Sequence, residues 1–257
     1  MGEERLQRAL ARAGYGSRRS CEELIARGDV RINGVVATLG DRVDPGHDRV
    51  TIGGTPVNLD PGVRYRKLNK PAGVVTTMHD QRGRADIRPF LPPDGPRMFP
   101  VGRLDRETEG LLLLTNDGDL ANRLLHPSFG VEKEYLAEVE GMPTPAQLRR
   151  VRTGVELEDG IAKARSIRLV ETRGGRAHLA VVMTEGRNRV VRRLLAAVGL
   201  PVRRLVRVRV GSVRLGRLKP GEGRELTPAE VLDLQRLAAK AERRARRSRG
   251  GRAPGSM

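Results

Sequence analysis

Four consecutive leucines, Leu111 to Leu114, stand between a glycine-bounded charged loop and the turn residues Asn116-Asp117-Gly118. The run is short and has no polar position, so it predicts a buried strand that ends in a turn. A buried strand anchors the loop that feeds it, here Gly102-Arg103-Leu104-Asp105-Arg106-Glu107-Thr108-Glu109-Gly110. The acid between Arg103 and Arg106 is expected to stay ionised, with a lowered pKa, and can serve as a nucleophile or a base. The plain alternative is a structural Asp–Arg pair. Another takes Asp105, Glu107, Glu109, Asp117 and Asp119 as ligands of a metal-dependent nuclease. Two arginines beside the central acid would repel a dication, and the acids lack the separated spacing of a two-metal site.

The first 58 residues read as a small α/β module. Leu6, Ala9, Leu10 and Ala13 recur at helical spacing up to Gly14. Ser20 with Glu23, or Ser17 instead, caps a second helix whose apolar face carries Cys21, Leu24 and Ile25. Asn33-Gly34 between Val30-Arg31-Ile32 and Val35-Val36 predicts a tight hairpin. Cys21 reads as a small core hydrophobe. As the lone cysteine it excludes an internal disulfide and any Cys-rich zinc site. Turn residues from Asn58 to Gly62 mark a domain break. Beyond it, Thr144-Pro145 and Thr227-Pro228, each followed by Gln or Glu at the third helical position, start two helices. Between Leu205 and Val210, apolar residues alternate with Arg207 and Arg209, which predicts a strand with one apolar and one basic face.

The net charge is +18, and it is not evenly spread. Glu185 to Arg217 holds ten Arg against one acid, and Ala239 to Met257 holds seven bases against one acid. Clustered Arg points to a polyanion, because it displaces the counterions condensed on phosphates. A genome rich in Arg codons would not by itself cluster them. The last stretch, from Ala241, has no core-forming pattern and is expected to be a disordered basic tail. No apolar run approaches the roughly 18 residues of a membrane span, and the start has no apolar signal region, so a soluble cytoplasmic chain is expected. Of the four His, His47, His79 and His126 sit in turns or loops, and none has a partner at metal-ligand spacing.

Two resemblances follow from these motifs. The stretch from Arg5-Leu6 through Ser17-Arg18-Arg19 to Arg27-Gly28-Asp29-Val30-Arg31-Ile32-Asn33-Gly34 resembles the S-four (S4) RNA-binding domain. Asn69-Lys70-Pro71-Ala72-Gly73-Val74-Val75-Thr76-Thr77, Phe99-Pro100-Val101 with the Asp105 loop, His126-Pro127, Lys133-Glu134-Tyr135 and Glu185-Gly186-Arg187-Asn188-Arg189…Arg192-Arg193 occur in one order. Together they resemble the RsuA/RluB-type ribosomal RNA pseudouridine synthases, over nearly the whole chain from Arg5 to Glu230.

The resemblance implies an isomerase that detaches uracil from its ribose, rotates it and reattaches it through a ring carbon. It implies Asp105 as the catalytic carboxylate and Tyr135 as the residue packing against the base. Arg192 would be the basic residue pairing with Asp105, with Arg189 and Arg193 as rivals on one helical face. Arg103 would fill the space of the flipped nucleotide. Arg106, Arg187, Arg189 and Arg193, with Arg18, Arg19 and Arg27 of the first module, would contact RNA. Val190 stands where the family usually carries Gln.

The expected fold is α+β: an S-four-like domain over 1–58, a linker over 59–64, a larger mixed or antiparallel-sheet catalytic domain over 65–238, and the basic tail over 239–257. Neither cofactor nor metal is expected. The partner is ribosomal RNA or a ribosomal precursor particle, the large subunit is favoured over the small, and the chain is expected to be a monomer. The alternative from another class is a non-catalytic ribosomal-RNA-binding assembly factor on the same fold, to which an Asp105/Tyr135 set would be of no use.

Overall fold

Ser17, rather than Ser20, caps the second helix: its side chain accepts from the Ser20 N–H, and Ser20 returns a bond to the Ser17 N–H. In the computed structural model, which describes residues 2–250 apart from Pro61 and His79, helices α1 (Leu6–Ala13) and α2 (Arg18–Ala26) open the chain. Strands β1 (Val30–Ile32) and β2 (Val35–Val36) form the expected hairpin, with Asn33 at φ 51° and Gly34 at φ 87° as its turn. Strands β3 (Val50–Ile52) and β4 (Thr55–Pro56) complete a four-stranded sheet. Leu6, Leu10, Cys21, Ile25, Val30, Val43 and Val50 are buried together as its core. Burial pushes the Cys21 thiol pKa up, in keeping with a core role. This unit runs to Tyr65 and also takes in Pro92–Phe99 and Thr115–Gly118, two short segments from beyond the expected linker.

The second unit is built on a nine-stranded mixed sheet. Its main strands are β5 (Tyr65–Lys70), β6 (Thr108–Thr115), β7 (Lys133–Glu140), β8 (Ser166–Arg173), β9 (Arg176–Met183), β10 (Val202–Val210) and β11 (Gly223–Glu225), in spatial order β8-β9-β7-β10-β6-β5-β11. The β8–β9, β9–β7 and β7–β10 pairs are antiparallel, and β10 pairs with β6 in parallel. Leu111 to Leu114 are all buried within β6, so both faces of the sheet are covered there. Helices α3 (Gly118–Leu125), α4 (Pro145–Thr153), α5 (Val190–Ala196) and α6 (Pro228–Gly250) accompany the sheet. Thr144 and Thr227 cap α4 and α6 as expected, each in a reciprocal bond with the residue three on. Among the described residues no helix is long and apolar enough to cross a membrane.

One expectation needs correction here. The basic segment from residue 239 is helical as far as Gly250, while 251–257 lie outside the described residues. Its Ala, Arg and Lys are strong helix formers, and a helix already nucleated by the Thr227–Glu230 cap extends through them at little cost. On the basic face expected for β10, not every arginine reaches solvent. Arg207 is buried, with its Nε donating to the Leu111 carbonyl at 2.8 Å.

That packing depends on Gly110. It pairs with Arg207 in the parallel β6–β10 ladder, has φ +103°, and a Cβ there would lie 2.3 Å from the Arg207 carbonyl oxygen. A methyl group can be accommodated only by prising the two strands apart. Gly110→Ala is therefore expected to destabilise the protein by about 3 kcal/mol or more. Denaturant unfolding checks this, and a midpoint unchanged from wild type would show that the strands are not in contact at this point.

Candidate active site

The loop that carries Asp105 is fixed on both sides of the acid. Thr76 Oγ1 donates to the Leu104 carbonyl at 2.8 Å and accepts from the Leu104 N–H at 3.1 Å. After the acid, the Gly73 N–H donates to the Arg106 carbonyl at 2.8 Å, and the Thr108 N–H closes a turn onto the Asp105 carbonyl at 3.0 Å. Beneath this sits Lys70, fully buried, whose Nζ donates to the carbonyls of Val74 at 2.7 Å and Pro71 at 2.9 Å. Burial pushes its ammonium down to about 8, against the opposing pull of Glu109, Asp105 and Glu107. The Asn69–Thr77 segment is thus a clamp for the Asp105 backbone. Sequence reasoning quoted this segment for its pattern and gave its residues no role.

Asp105 itself is half-buried, and its carboxylate makes no hydrogen bond or ion pair among the described residues. The expected pairing with its neighbours is absent. Arg103 is exposed, and Arg106 lies 3.8 Å from Glu107 instead. The acid lies where two concavities meet. One is an open polar groove of about 530 Å³ lined by Thr76, Arg82, Arg84, Arg103, Arg106 and Arg189 among others. The other is a more apolar cavity of about 310 Å³. The groove's Arg82 and Arg84 were not singled out from the sequence, and Arg84 is spoken for, since it forks onto Asp80 at 2.6 and 3.1 Å. That fork, with the backbone N–H groups of Arg84 and Arg82, holds the Asp80 carboxyl down at about 2.

One face of the sheet lines the smaller cavity. Tyr135 of β7 stands opposite Arg207 of β10, and opposed residues share a face. Lys133, two residues before Tyr135, is on that face as well. Thr108 of β6 pairs with Leu205 of β10, and both border the cavity, as do Leu124, Val190 and Val191. Tyr135, Lys133, Arg207 and Thr108 are all buried.

The three arginines expected to compete for Asp105 have other partners. Arg192 forks onto two carbonyls, Val202 at 3.0 Å and Glu107 at 3.2 Å. Arg189 pairs with Glu107 at 2.7 Å, and Arg193 holds Asp159 through two bonds of 2.9 and 2.8 Å. They are not three positions of one helix, because α5 begins only at Val190 and Arg189 precedes it in the left-handed region at φ 49°; Arg189 and Arg192 both reach Glu107, and Arg193 turns to Asp159. A non-glycine residue there is uncommon and marks a constrained junction. Arg187 is consumed locally, bonding Glu185, Asp159 and the carbonyls of Gly160 and Ile161. Arg103, Arg106 and Arg189 thus line the groove, whereas Arg187 and Arg193 brace the hairpin carrying Asp159.

In the first unit, Arg18 and Arg19 are exposed on the opening turn of α2, and Arg27 pairs with Asp29 at 2.9 Å. His126 lies 2.7 Å from Ser128 Oγ and against the Phe129 ring, a local structural role. His79 lies outside the described residues. No group of three His, Cys, Asp or Glu side chains able to hold a metal occurs among the described residues.

Comparison with known proteins meets this geometry. A family model described as RNA pseudouridylate synthase matches residues 64–197, and an S4 domain model matches residues 4–50. The ribosomal large subunit pseudouridine synthase B of Bacillus subtilis is 42% identical over 91% of this chain and 97% of its own length. The protein of that name from Vibrio cholerae is 45% identical over 91% of this chain and 75% of its own. A crystal structure of a pseudouridylate synthase superposes with a TM-score of 0.62 at 28% identity, covering 90% of this chain and 99% of that one.

Proposed function

The chain belongs to the RNA pseudouridylate synthase family, in its RsuA/RluB branch with an N-terminal S4 domain, and we propose that it isomerises uridine in the large-subunit ribosomal RNA with Asp105 as the catalytic carboxylate. The reaction gains and loses no atoms. The target nucleotide leaves its stack, at a cost of a few kcal/mol, and its base enters the cavity beneath Tyr135. The C1′–N1 bond breaks with its electron pair leaving on the base, and the positive charge at C1′ is met by the Asp105 carboxylate. The base turns, C5 bonds to C1′, and the C5 proton is given up while N1 takes up a proton.

The observation that carries this reading is the position of Asp105. It is a carboxylate without a partner, on a loop clamped at Leu104 and Arg106, between a basic groove and a cavity of base-like scale. Tyr135 packs against the base, and Arg103, exposed beside the acid, takes the place the nucleotide vacates in the RNA. Arg106 and Arg189 meet phosphates along the groove, and Arg18, Arg19 and Arg27 extend the contact on the S4 domain. The large-subunit assignment is supported by the relatives that carry that name, and our reading of the protein as cytoplasmic rests on that proposed substrate.

Carbodiimide mapping of pseudouridine on both ribosomal RNAs tests it, in a deletion strain with and without the wild-type gene. One large-subunit position is expected to lose its modification and regain it on complementation. A lost small-subunit position would overturn the subunit assignment. If no position changed, the substrate reading would fail.

A further inference from the structure

Two cations face the smaller cavity with no acid to balance them. Arg207 is 3% exposed; only its Nε is bonded, and its Nη2 is enclosed with no partner. Lys133 is 9% exposed, and its Nζ has one long contact, 3.4 Å to the Val131 carbonyl. Neither forms an ion pair with Asp105 or with any other acid among the described residues, in a protein whose surface arginines are widely paired. The two also act on each other: burial first, and then the Arg207 charge, pushes the Lys133 ammonium down to about 8. A third enclosed polar atom without a partner, Thr108 Oγ1, borders the same cavity. Burying two like charges around one cavity, unpaired, carries a desolvation penalty and mutual repulsion. A fold retains such a pair where an anion relieves it.

We propose that Lys133 and Arg207 form the site for the detached uracil anion, and so lower the barrier to breaking the C1′–N1 bond. This rests on the reading of the Asp105 cavity as the uridine site. When the bond breaks, its electron pair goes to N1 and spreads over O2 and O4. Lys133 and Arg207 hold that charge on the base, while Asp105 meets the complementary charge on the sugar. The surrounding Leu124, Leu205, Val190 and Val191 suit a flat ring with delocalised charge better than a hydrated phosphate. Preorganised charge of this kind costs no reorganisation at the moment of reaction. C5 attack on C1′ with a ring electron pair cancels the charge on the base; the C5 proton then departs as N1 takes up a proton, and the neutral product base can leave the site.

The test compares large-subunit RNA transcribed with uridine or with 5-fluorouridine, whose base is the better anion. Single-turnover loss of the N-glycosidic nucleotide is followed with wild type, Lys133→Met and Arg207→Gln. Removing the anion site should slow uridine more than 5-fluorouridine, so the fluorouridine-to-uridine rate ratio is expected to rise about tenfold in both variants. That ratio is internal to each protein, so a variant that folds in lower yield still reports it. Equal slowing of both substrates, or no slowing, would overturn the anion site. If Asp105→Asn is inactive in the same assay while the ratios stay at the wild-type value, only this inference fails. A wild-type enzyme inert on the transcript would remove the substrate reading and this inference with it.

Discussion

Asp105→Asn is expected to lower the single-turnover rate of isomerisation by about 10⁴-fold or more, while RNA affinity and thermal stability stay close to wild type. The separation follows from the geometry. The loop is held through the backbone of Leu104 and Arg106 and through the Asp105 carbonyl, none of which the substitution touches. The side chain itself makes no bond that stabilises the folded state. The amide matches the carboxylate in shape and keeps a polar head at the junction of groove and cavity. What it lacks is negative charge at C1′. Release of tritium from RNA labelled at uridine C5 measures the rate, because the C5 proton must leave on every turnover. A variant within tenfold of wild type would remove Asp105 from the chemistry, whatever its position.

Much of this arrangement can be read in the amino-acid sequence, and the reason differs by element. Helices α4 and α6 announce themselves through Thr-Pro caps, and the β1–β2 hairpin through Asn33-Gly34, because those signals are local and need no partner. The four leucines of β6 are equally local. Arg207 is different. On an alternating Arg/Val strand, sequence periodicity predicts a basic face, and only the parallel neighbour β6, remote in the chain, buries Arg207 of that face against the Leu111 carbonyl. The same holds for Thr76, whose hydroxyl bonds the carbonyl of Leu104 in a loop remote in the chain. The two-unit division of the chain also departs from a simple linear reading, because 92–99 and 115–118 join the first unit through contacts that no sequence window contains.

Arg192 is the sharpest case, since the family resemblance implies a partner, Asp105, that the structure does not give it. A guanidinium near a catalytic carboxylate invites a charge pair, yet its two Nη atoms span the carbonyls of Val202 and Glu107. Glu107 is the last loop residue before β6 and Val202 the first of β10, so Arg192 ties the exit of the Asp105 loop to the neighbouring strand. In this role it is a positioning residue, and geometry matters more than charge. Lysine offers one point donor where two diverging bonds are needed. Arg192→Lys and Arg192→Met are therefore both expected to lower the single-turnover rate on RNA-saturated enzyme by about 10²-fold, the scale of a 1 Å misplacement. RNA affinity should change by only a few fold, because Arg192 is not among the residues lining the groove. Measuring the bound complex removes any contribution from misfolded molecules. If Arg192→Lys keeps nearly the full rate and Arg192→Met loses it, charge is what counts, and Arg192 must swing from the two carbonyls onto Asp105 when RNA binds. Equal losses would leave the carboxylate unpaired through the reaction, with its negative charge wholly available to the sugar.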